Sequence, residues 1–403
     1  MPPLYHVVRI FARHFKDFLH CLQNNGAYSI SCLRVVLSIL PSEEVSVKNI
    51  RAAESFLMAV LLLLLYSAPL PVRADTSSDP AAILLDGLLS CEEAINLAAC
   101  GLPSSELGRV YADLLHSHPE LFHVALRLTF TSRETVVNGQ PQRLVAEVYP
   151  SYTVTGQELT AARTLYRDTL SVLLAEMDAA FGDRLPTEAE IVLYIHDQLA
   201  HRYAYDTRTQ SPNADVHSFL RDGVGICQAY ALAFLALARG AGLEADFVAS
   251  DAMDHAWNHV RVDGVWYHVD VTRDDPIPAR EGSDEVNHTR LLRSDEGMNS
   301  LGYHGYACVA GHACTDSRFE PEGEAALADF HAPMIPFGTA WVGVREDGAP
   351  VMAEIGKEGI STGIEGDMDG DGCVTPADLL TVYDADYPEE WRGWLRFELT
   401  GGT

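Results

Sequence analysis

Basic side chains are scarce in this chain. Its 403 residues carry 28 Lys and Arg against 57 Asp and Glu, a formal net charge of −29. A surface so short of cations repels phosphate backbones and anionic headgroups, which excludes nucleic-acid binding and electrostatic membrane attachment. Long apolar runs are missing too. The run Phe56 to Tyr66 has eleven residues, too few for a bilayer span, which needs about 20. Internal repeats and low-complexity tracts are absent, which excludes solenoid and propeller arrays.

What is present near the start has the order of an exported leader. Lys48-Asn-Ile-Arg51 supplies charge, Phe56 to Tyr66 the apolar stretch, and Val72-Arg-Ala74 before Asp75 a small-residue cleavage site. The reading is a signal peptide over 47–74, cleaved after Ala74, and a secreted protein; an uncleaved membrane anchor is the alternative. Such leaders do not normally begin so far in, so residues 1–46 are read as an upstream extension, with translation starting at Val47 through a GTG codon. Glu43-Glu-Val45 is encodable as GAGGAGGTN, a purine run of the kind ribosomes bind. Removing residues 1–74 takes away seven basic and four acidic side chains, so 21 face 53 and the mature net charge becomes −32.

Chemistry enters at Cys227. Gly223-Val-Gly-Ile precedes it, and Gln228 to Arg239 are helix formers ending at Gly240, a plausible C-cap. A cysteine at a helix start meets unpaired backbone N–H groups and the positive end of the dipole, which favour the thiolate a nucleophile needs. A small core residue is the competing reading.

Asp254 to Thr272 reads as a β-hairpin turning at Asp263-Gly264. Counting out from the turn pairs Val262 with Val265, Arg261 with Trp266, Val260 with Tyr267, His259 with His268, Asn258 with Val269 and Trp257 with Asp270. One face is then largely apolar. The other gathers His255, Trp257, His259, Arg261, Trp266, His268, Asp270 and Thr272, which suits a cleft wall. Asp270 is a diagonal neighbour of both His255 and His259, so spacing does not choose which imidazole a carboxylate would orient.

Gly225-Ile-Cys227-Gln-Ala-Tyr-Ala, His255-Ala-Trp-Asn258 and Gly264-Val-Trp-Tyr-His-Val-Asp270-Val-Thr follow one another as Cys, His, Asp. In these blocks, over roughly 185–280, the chain resembles the transglutaminase-like superfamily of papain-type cysteine enzymes, in its bacterial branch. The resemblance implies Cys227 as nucleophile, His255 as base and Asp270 as orienting carboxylate, and it sets His259 aside. Arg273 departs from the pattern, since many relatives carry tryptophan there. The expected reaction is attack of the thiolate on an amide carbonyl, protonation of the leaving amine by His255, and passage of the thioester to water or an amine. The Cys227 amide is one expected oxyanion donor.

Near the other end, Asp367-Met-Asp369-Gly-Asp371-Gly-Cys373-Val-Thr375-Pro-Ala-Asp378 has the spacing of a calcium loop. Carboxylates stand at the first, third, fifth and last positions, glycine at the sharp turn, the Cys373 carbonyl next, and Thr375 direct or through water. The loop resembles one half of a dockerin repeat, but a second half is missing. A structural calcium ion is therefore expected, with a cohesin-like or cell-surface partner as the further option.

Between these landmarks, Ala81 to Pro119 reads as short helices, one amphipathic and capped at Ser104-Ser-Glu. Val124 to Val154 is a hairpin turning at Asn138-Gly139, and Leu159 to Phe181 and Thr187 to His201 are helices. Cys308 and Cys314 are close enough to pair as a disulfide; a zinc site with His304 and His312, or free thiols, are the alternatives. Asn287 to Asp295 and Gly302 to Tyr306 are read as lining the cleft.

The expected fold is α+β, a papain or transglutaminase-like core with a nucleophile-bearing helix packed on an antiparallel sheet. An N-terminal α+β module (75–184) precedes the catalytic core (185–335), and a C-terminal segment (336–403) carries the calcium loop (367–378). The expected function is hydrolysis of peptide or isopeptide amides in a protein or peptide substrate, with no cofactor for catalysis. A cross-linking acyltransferase and a non-catalytic binding module are the alternatives.

Overall fold

Asp79 accepts a hydrogen bond from the Ala81 amide and Pro80 pre-sets the first turn, so helix α1 starts where a cap and a proline agree (Pro80–Leu89). The computed structural model describes residues 79–137, 140–182, 184–208, 213–275, 286–308, 310–320, 333–337, 340–344, 350–356 and 359–362. All of these fall in the unit Thr76–Thr403. The expected leader and upstream extension, and the expected calcium loop with Asp367, Asp369, Asp371, Cys373, Thr375 and Asp378, lie outside the described residues.

After α1 come β1 (Ile95–Asn96) and α2 (Leu107–Ser117). The serine cap expected for α2 is not used: Glu106 holds the N-cap position without a side-chain bond. The reason is tertiary, because the Ser104 amide donates to the Arg143 carbonyl at 2.9 Å and Pro103 bridges Leu144. Those residues belong to a strand edge. The strands concerned are β2 (Val124–Val137) and β3 (Gln140–Tyr152), whose pairing reaches Val137 opposite Gln140. With β1 they make a sheet ordered β1-β3-β2. Leu84, Leu88, Tyr111, Val145 and Val148 pack it against the first two helices.

Next follow α3 (Gly156–Phe181) and α4 (Glu188–Arg202), the latter entered through a capping box of Thr187 and Glu190. Strand β4 (Ala204–Tyr205), helix α5 (Val216–Asp222) and strand β5 (Val224–Gly225) lead into α6 (Cys227–Gly240). Helix α6 runs through Gly240 rather than capping there, and Gly242, at φ 92°, makes the turn. Gly240 has a packing role instead. A Cβ on it would sit 2.8 Å from Leu174 Cδ1, so the glycine lets α6 approach α3 closely.

Strands β6 (Ala245–Ser250), β7 (His255–Val262) and β8 (Val265–Val269) are followed by α7 (Val271–Asp274), α8 (Asp295–Ser300) and β9 (Ala307–Cys308). The sheet order is β8-β7-β6-β9. The hairpin register expected from the turn is found from Val262 opposite Val265 to Asn258 opposite Val269. Asp263 and Gly264 have φ of 49° and 86°, the backbone that a two-residue turn of this hand requires. Pairing stops there, because Asp270 leaves the strand to cap α7. The apolar face packs on α6, which is buried along most of its length. Strands β10 (Ile335–Phe337), β11 (Ala340–Val344), β12 (Pro350–Gly356) and β13 (Gly359–Thr362) form an antiparallel meander. Its Trp341, Ala353 and Ile355 join the same core. Among the described residues no helix is long and apolar enough to cross a membrane.

A buried polar network ties the parts together. Asp197 on α4 accepts from His196 Nδ1 at 2.8 Å, His288 Nε2 at 2.8 Å and the Met334 amide at 2.7 Å. His196 Nε2 reaches Asp274 on α7 at 3.3 Å, and the Arg290 amide donates to that carboxylate at 2.8 Å. Burial alone would pull the His196 pKa down; the bonds to and charges of Asp197 and Asp274 outweigh it and raise it to about 9. For Asp197, burial pushes up, and the charges and bonds of His288 and His196 pull the value to about 2.

The His196 contribution to stability is thus complete below its unfolded value of about 6.5 and is lost as pH rises through about 9. The Asp197 contribution is present above its unfolded value of about 3.9 and is lost as pH falls through about 2. Urea unfolding is expected to show stability declining from pH 6.5 to 9. The variant Asp197→Asn is expected to lose about 3–5 kcal/mol, since it leaves buried imidazoles without their charge partner.

Candidate active site

The start of α6 is shaped by what precedes it. A Cβ on Gly225 would lie 2.5 Å from Phe219 Cδ2 and 2.9 Å from the Ala229 Cβ, so only glycine lets β5 pass this close. Ile226, in extended backbone, is the N-cap, and its amide donates to the Asn213 carbonyl at 2.9 Å. Cys227 is then the first helical residue, half-buried and a free thiol. Its amide belongs to the first turn, where backbone donors have no intrahelical acceptor.

Asn258 sets the helix against the hairpin. Its Nδ2 donates to the Ala231 carbonyl on α6 at 3.0 Å and to the Asp246 carbonyl on β6 at 3.3 Å. Ala231 is about one turn beyond Cys227, and His255 begins β7 three residues before Asn258, so this bond seats the start of the helix against the start of the strand. His255 has the Cys227 side chain near it on one side, close enough to raise its pKa. Its Nε2 donates to Asp270 Oδ2 at 2.6 Å on the other. The three residues singled out in the sequence therefore meet in the order sulfur, imidazole, carboxylate.

Asp270 is fully buried. It accepts from His255, from the Tyr303 hydroxyl on the same oxygen, and from the Arg273 amide at 3.2 Å on the other oxygen. Burial would raise its pKa, but the bond and charge of His255, then Tyr303 and the amide, hold it below the usual carboxylate value. His255 behaves in the mirror sense. Burial pushes it down, while the bonds to Asp270 and Cys227 and their charges carry it up to about 9.

The spacing left His255 and His259 level, and the structure separates them. His259 is buried and bonds His268 Nδ1 at 3.1 Å, away from Asp270. Burial and the neighbouring His268 push its pKa down to about 3, so it stays neutral.

The polar face of the hairpin is mostly not a cleft wall. Trp257, His259, His268 and Asp270 are at most 1 % exposed, because the segment after α7 folds across them. His268 Nε2 donates to Asp295 at 3.0 Å, and Asp295 also accepts from Tyr306 at 3.0 Å and the Cys314 amide at 2.8 Å. Trp257 Nε1 donates to His268 Nδ1 at 2.9 Å. Residues 287–295 and 302–306, expected to line the cleft, thus include buried supports: His288 joins Asp197, and Tyr303 reaches Asp270.

The expected disulfide is absent, since Cys308 and Cys314 are both free. The four residues of the zinc alternative do not converge. His304 bonds the Gly302 carbonyl at 2.9 Å, while His312 stacks on Trp266 at 3.6 Å and bonds Asp246 at 2.9 Å. His259, His268 and Cys314 do offer donor atoms within 4.8 Å of one another. Both ring nitrogens of His268 already have hydrogen-bond partners there, so the three side chains fit a polar core.

Tyr303 falls in a stretch that the sequence placed on the cleft, but its bond to Asp270 is what sequence reasoning missed. It stands 33 residues beyond Asp270, and no local pattern marks the contact. Alkylation of Cys227 at neutral pH separates the two histidines. His255→Asn is expected to slow it by about tenfold or more by removing the imidazole that would take up the thiol proton. His259→Asn is expected to leave it within about twofold, as it touches neither partner.

Residues 179–271 match the family model described as the transglutaminase-like superfamily. That segment contains Cys227, His255 and Asp270. Among solved structures, a TGase is 16 % identical, with 39 % of this chain and 47 % of that chain covered and a TM-score of 0.25. A candidate cysteine protease from Cytophaga hutchinsonii is 16 % identical, with coverages of 38 % and 68 % and a TM-score of 0.23. A candidate protease from Parabacteroides distasonis is 14 % identical, with coverages of 46 % and 41 % and a TM-score of 0.21. This chain thus spans about half the length of the first of these. No curated protein matches. The fold is α+β, with helix α6 packed on the β6–β8 sheet as a transglutaminase-like core.

Proposed function

We propose that this protein is a papain-type cysteine enzyme that hydrolyses peptide or isopeptide amides. The observation that carries the reading is the hydrogen bond that ties His255 to the buried Asp270, with Cys227 near enough to the same imidazole to raise its pKa. A half-buried thiol that is only packing has no need of an imidazole on it, oriented in turn by a buried carboxylate.

In this reading the Cys227 sulfur adds to the amide carbonyl and the His255 imidazolium gives its proton to the departing amine, leaving a thioester. His255, now neutral, takes a proton from water as the water attacks, and the free acid leaves. Asp270 stays ionised and holds the ring by its Nε2–H, so that Nδ1 faces the sulfur. The Cys227 amide is placed to donate to the developing oxyanion. Water is the acceptor proposed here; a primary amine in its place would give a cross-link through the same thioester.

The test uses a peptide bearing a thiol-reactive electrophile, with amide turnover assayed in parallel. Labelling is expected on Cys227 in the native chain, and Cys227→Ala is expected to lose turnover by about a thousandfold or more. Equal labelling of both proteins would remove Cys227 from the mechanism. Products formed with and without added primary amine distinguish acid from transfer product.

We propose in addition that the chain is exported through residues 47–74 and that its C-terminal loop holds a structural calcium ion. The donors in order would be Asp367, Asp369, Asp371, the Cys373 carbonyl, Thr375 and Asp378, a hard-oxygen set suited to that ion. A cohesin-like or cell-surface partner for this loop belongs to the same proposal. Calcium titration is expected to raise the melting temperature of the calcium-free protein, and the double variant Asp367→Ala, Asp371→Ala is expected to abolish the rise.

A further inference from the structure

The Asp270 carboxylate is bound on one oxygen by two donors, the His255 Nε2–H and the Tyr303 hydroxyl. The second donor is delivered by a specific piece of backbone. Helix α8 ends with the Gly302 amide on the Asn299 carbonyl at 3.0 Å, the Tyr303 amide on the Met298 carbonyl at 3.1 Å, and Gly302 left-handed at φ 88°. These bonds define a Schellman stop, which turns the chain sharply inward at Tyr303. The phenol ring is buried, edge-on to Trp257 at 5.1 Å and to His255 at 6.2 Å, with the Arg273 guanidinium over it at 4.9 Å. Packing accounts for the ring. It does not account for the hydroxyl, which ends on the carboxylate oxygen that already holds the imidazole.

We propose that Tyr303 is a positioning residue of the Cys227–His255–Asp270 group, its hydroxyl locking the carboxylate and limiting how tightly that carboxylate holds the His255 proton. The inference rests on the enzymatic reading above. With His255 and Tyr303 on one oxygen and the Arg273 amide on the other, the carboxylate cannot rotate without breaking a bond. The phenol also draws negative charge from the oxygen facing the imidazole, so the imidazolium remains acidic enough to release its proton to a leaving amine. Burial and the Asp270 charge push the Tyr303 pKa far upward, so the hydroxyl stays a donor.

The other titratable or charged groups facing this set are Arg273 on α7 and Arg290 after it, both near Tyr303. His268 on β8 senses Asp270, and Tyr205 on β4 lies near Cys227 together with Asp254 before β7. None of them binds Asp270 Oδ2.

The experiment follows alkylation of Cys227 by iodoacetamide against pH in the full-length chain, read by mass spectrometry of the Cys227 peptide. The upper inflection reports loss of the His255 proton from the thiolate–imidazolium pair. Tyr303→Phe, which keeps the ring, is expected to raise that inflection by about one pH unit, because the carboxylate's charge then falls wholly on the imidazole. Site-specific 3-fluorotyrosine at 303, a stronger donor of nearly the same size, is expected to shift it the opposite way. A merely structural tyrosine would move neither. Inflections unmoved in both variants, or moved in the same direction, overturn the proposal; if the phenylalanine variant does not fold, the fluorotyrosine shift decides. A single inflection near about 8.5 in the native protein, as for an ordinary thiol, would instead sink the triad reading itself.

Discussion

The structure around the site depends on one buried carboxylate. Asp270 is fully buried, so its charge depends on the donors that the fold supplies. The fold supplies a ring nitrogen from β7, a phenol from the segment after α8 and the amide that α7 offers to its own N-cap. Each comes from a different element. Satisfying this one charge therefore places the hairpin, α7 and the covering segment relative to one another, and the orientation of His255 toward Cys227 follows from it.

The same logic operates a layer deeper. Asp274, four residues after Asp270, shares His196 with Asp197, and Asp197 in turn gathers His288 and the chain entering β10. These buried charges gain little net stability over an apolar core, but removing one partner leaves the rest exposed to the full desolvation cost. They hold α4, α7 and the C-terminal meander in one arrangement. The acidic surface works differently, since its charges are solvated and act through repulsion of anions rather than through position.

Much of the fold was legible because it is set by near neighbours. Asp263-Gly264 dictated the turn, and with a period of two the register of Asn258 to Val269 followed from it. The helix start at Cys227 was marked by the glycines before it and the helix formers after it. Where local signals failed, a distant contact had taken over the residue. Ser104 was claimed by the edge of β3, Gly240 by the side chain of Leu174, and the polar face of the hairpin by the segment that folds over it.

By itself, the sequence determined the elements: the hairpin with His255 and Asp270 near one end, the helix beginning at Cys227, and the acidic balance of the surface. Spacing left His255 and His259 level, and the resemblance favoured His255; tertiary structure places only His255 on Asp270, because the two differ in what packs around them. It also decided that Tyr303 meets Asp270 and that Cys308 and Cys314 remain unpaired. The physical reason is range. Turn and helix signals act over a few residues, whereas a hydrogen bond spanning 33 residues exists only once the intervening chain has been folded into place.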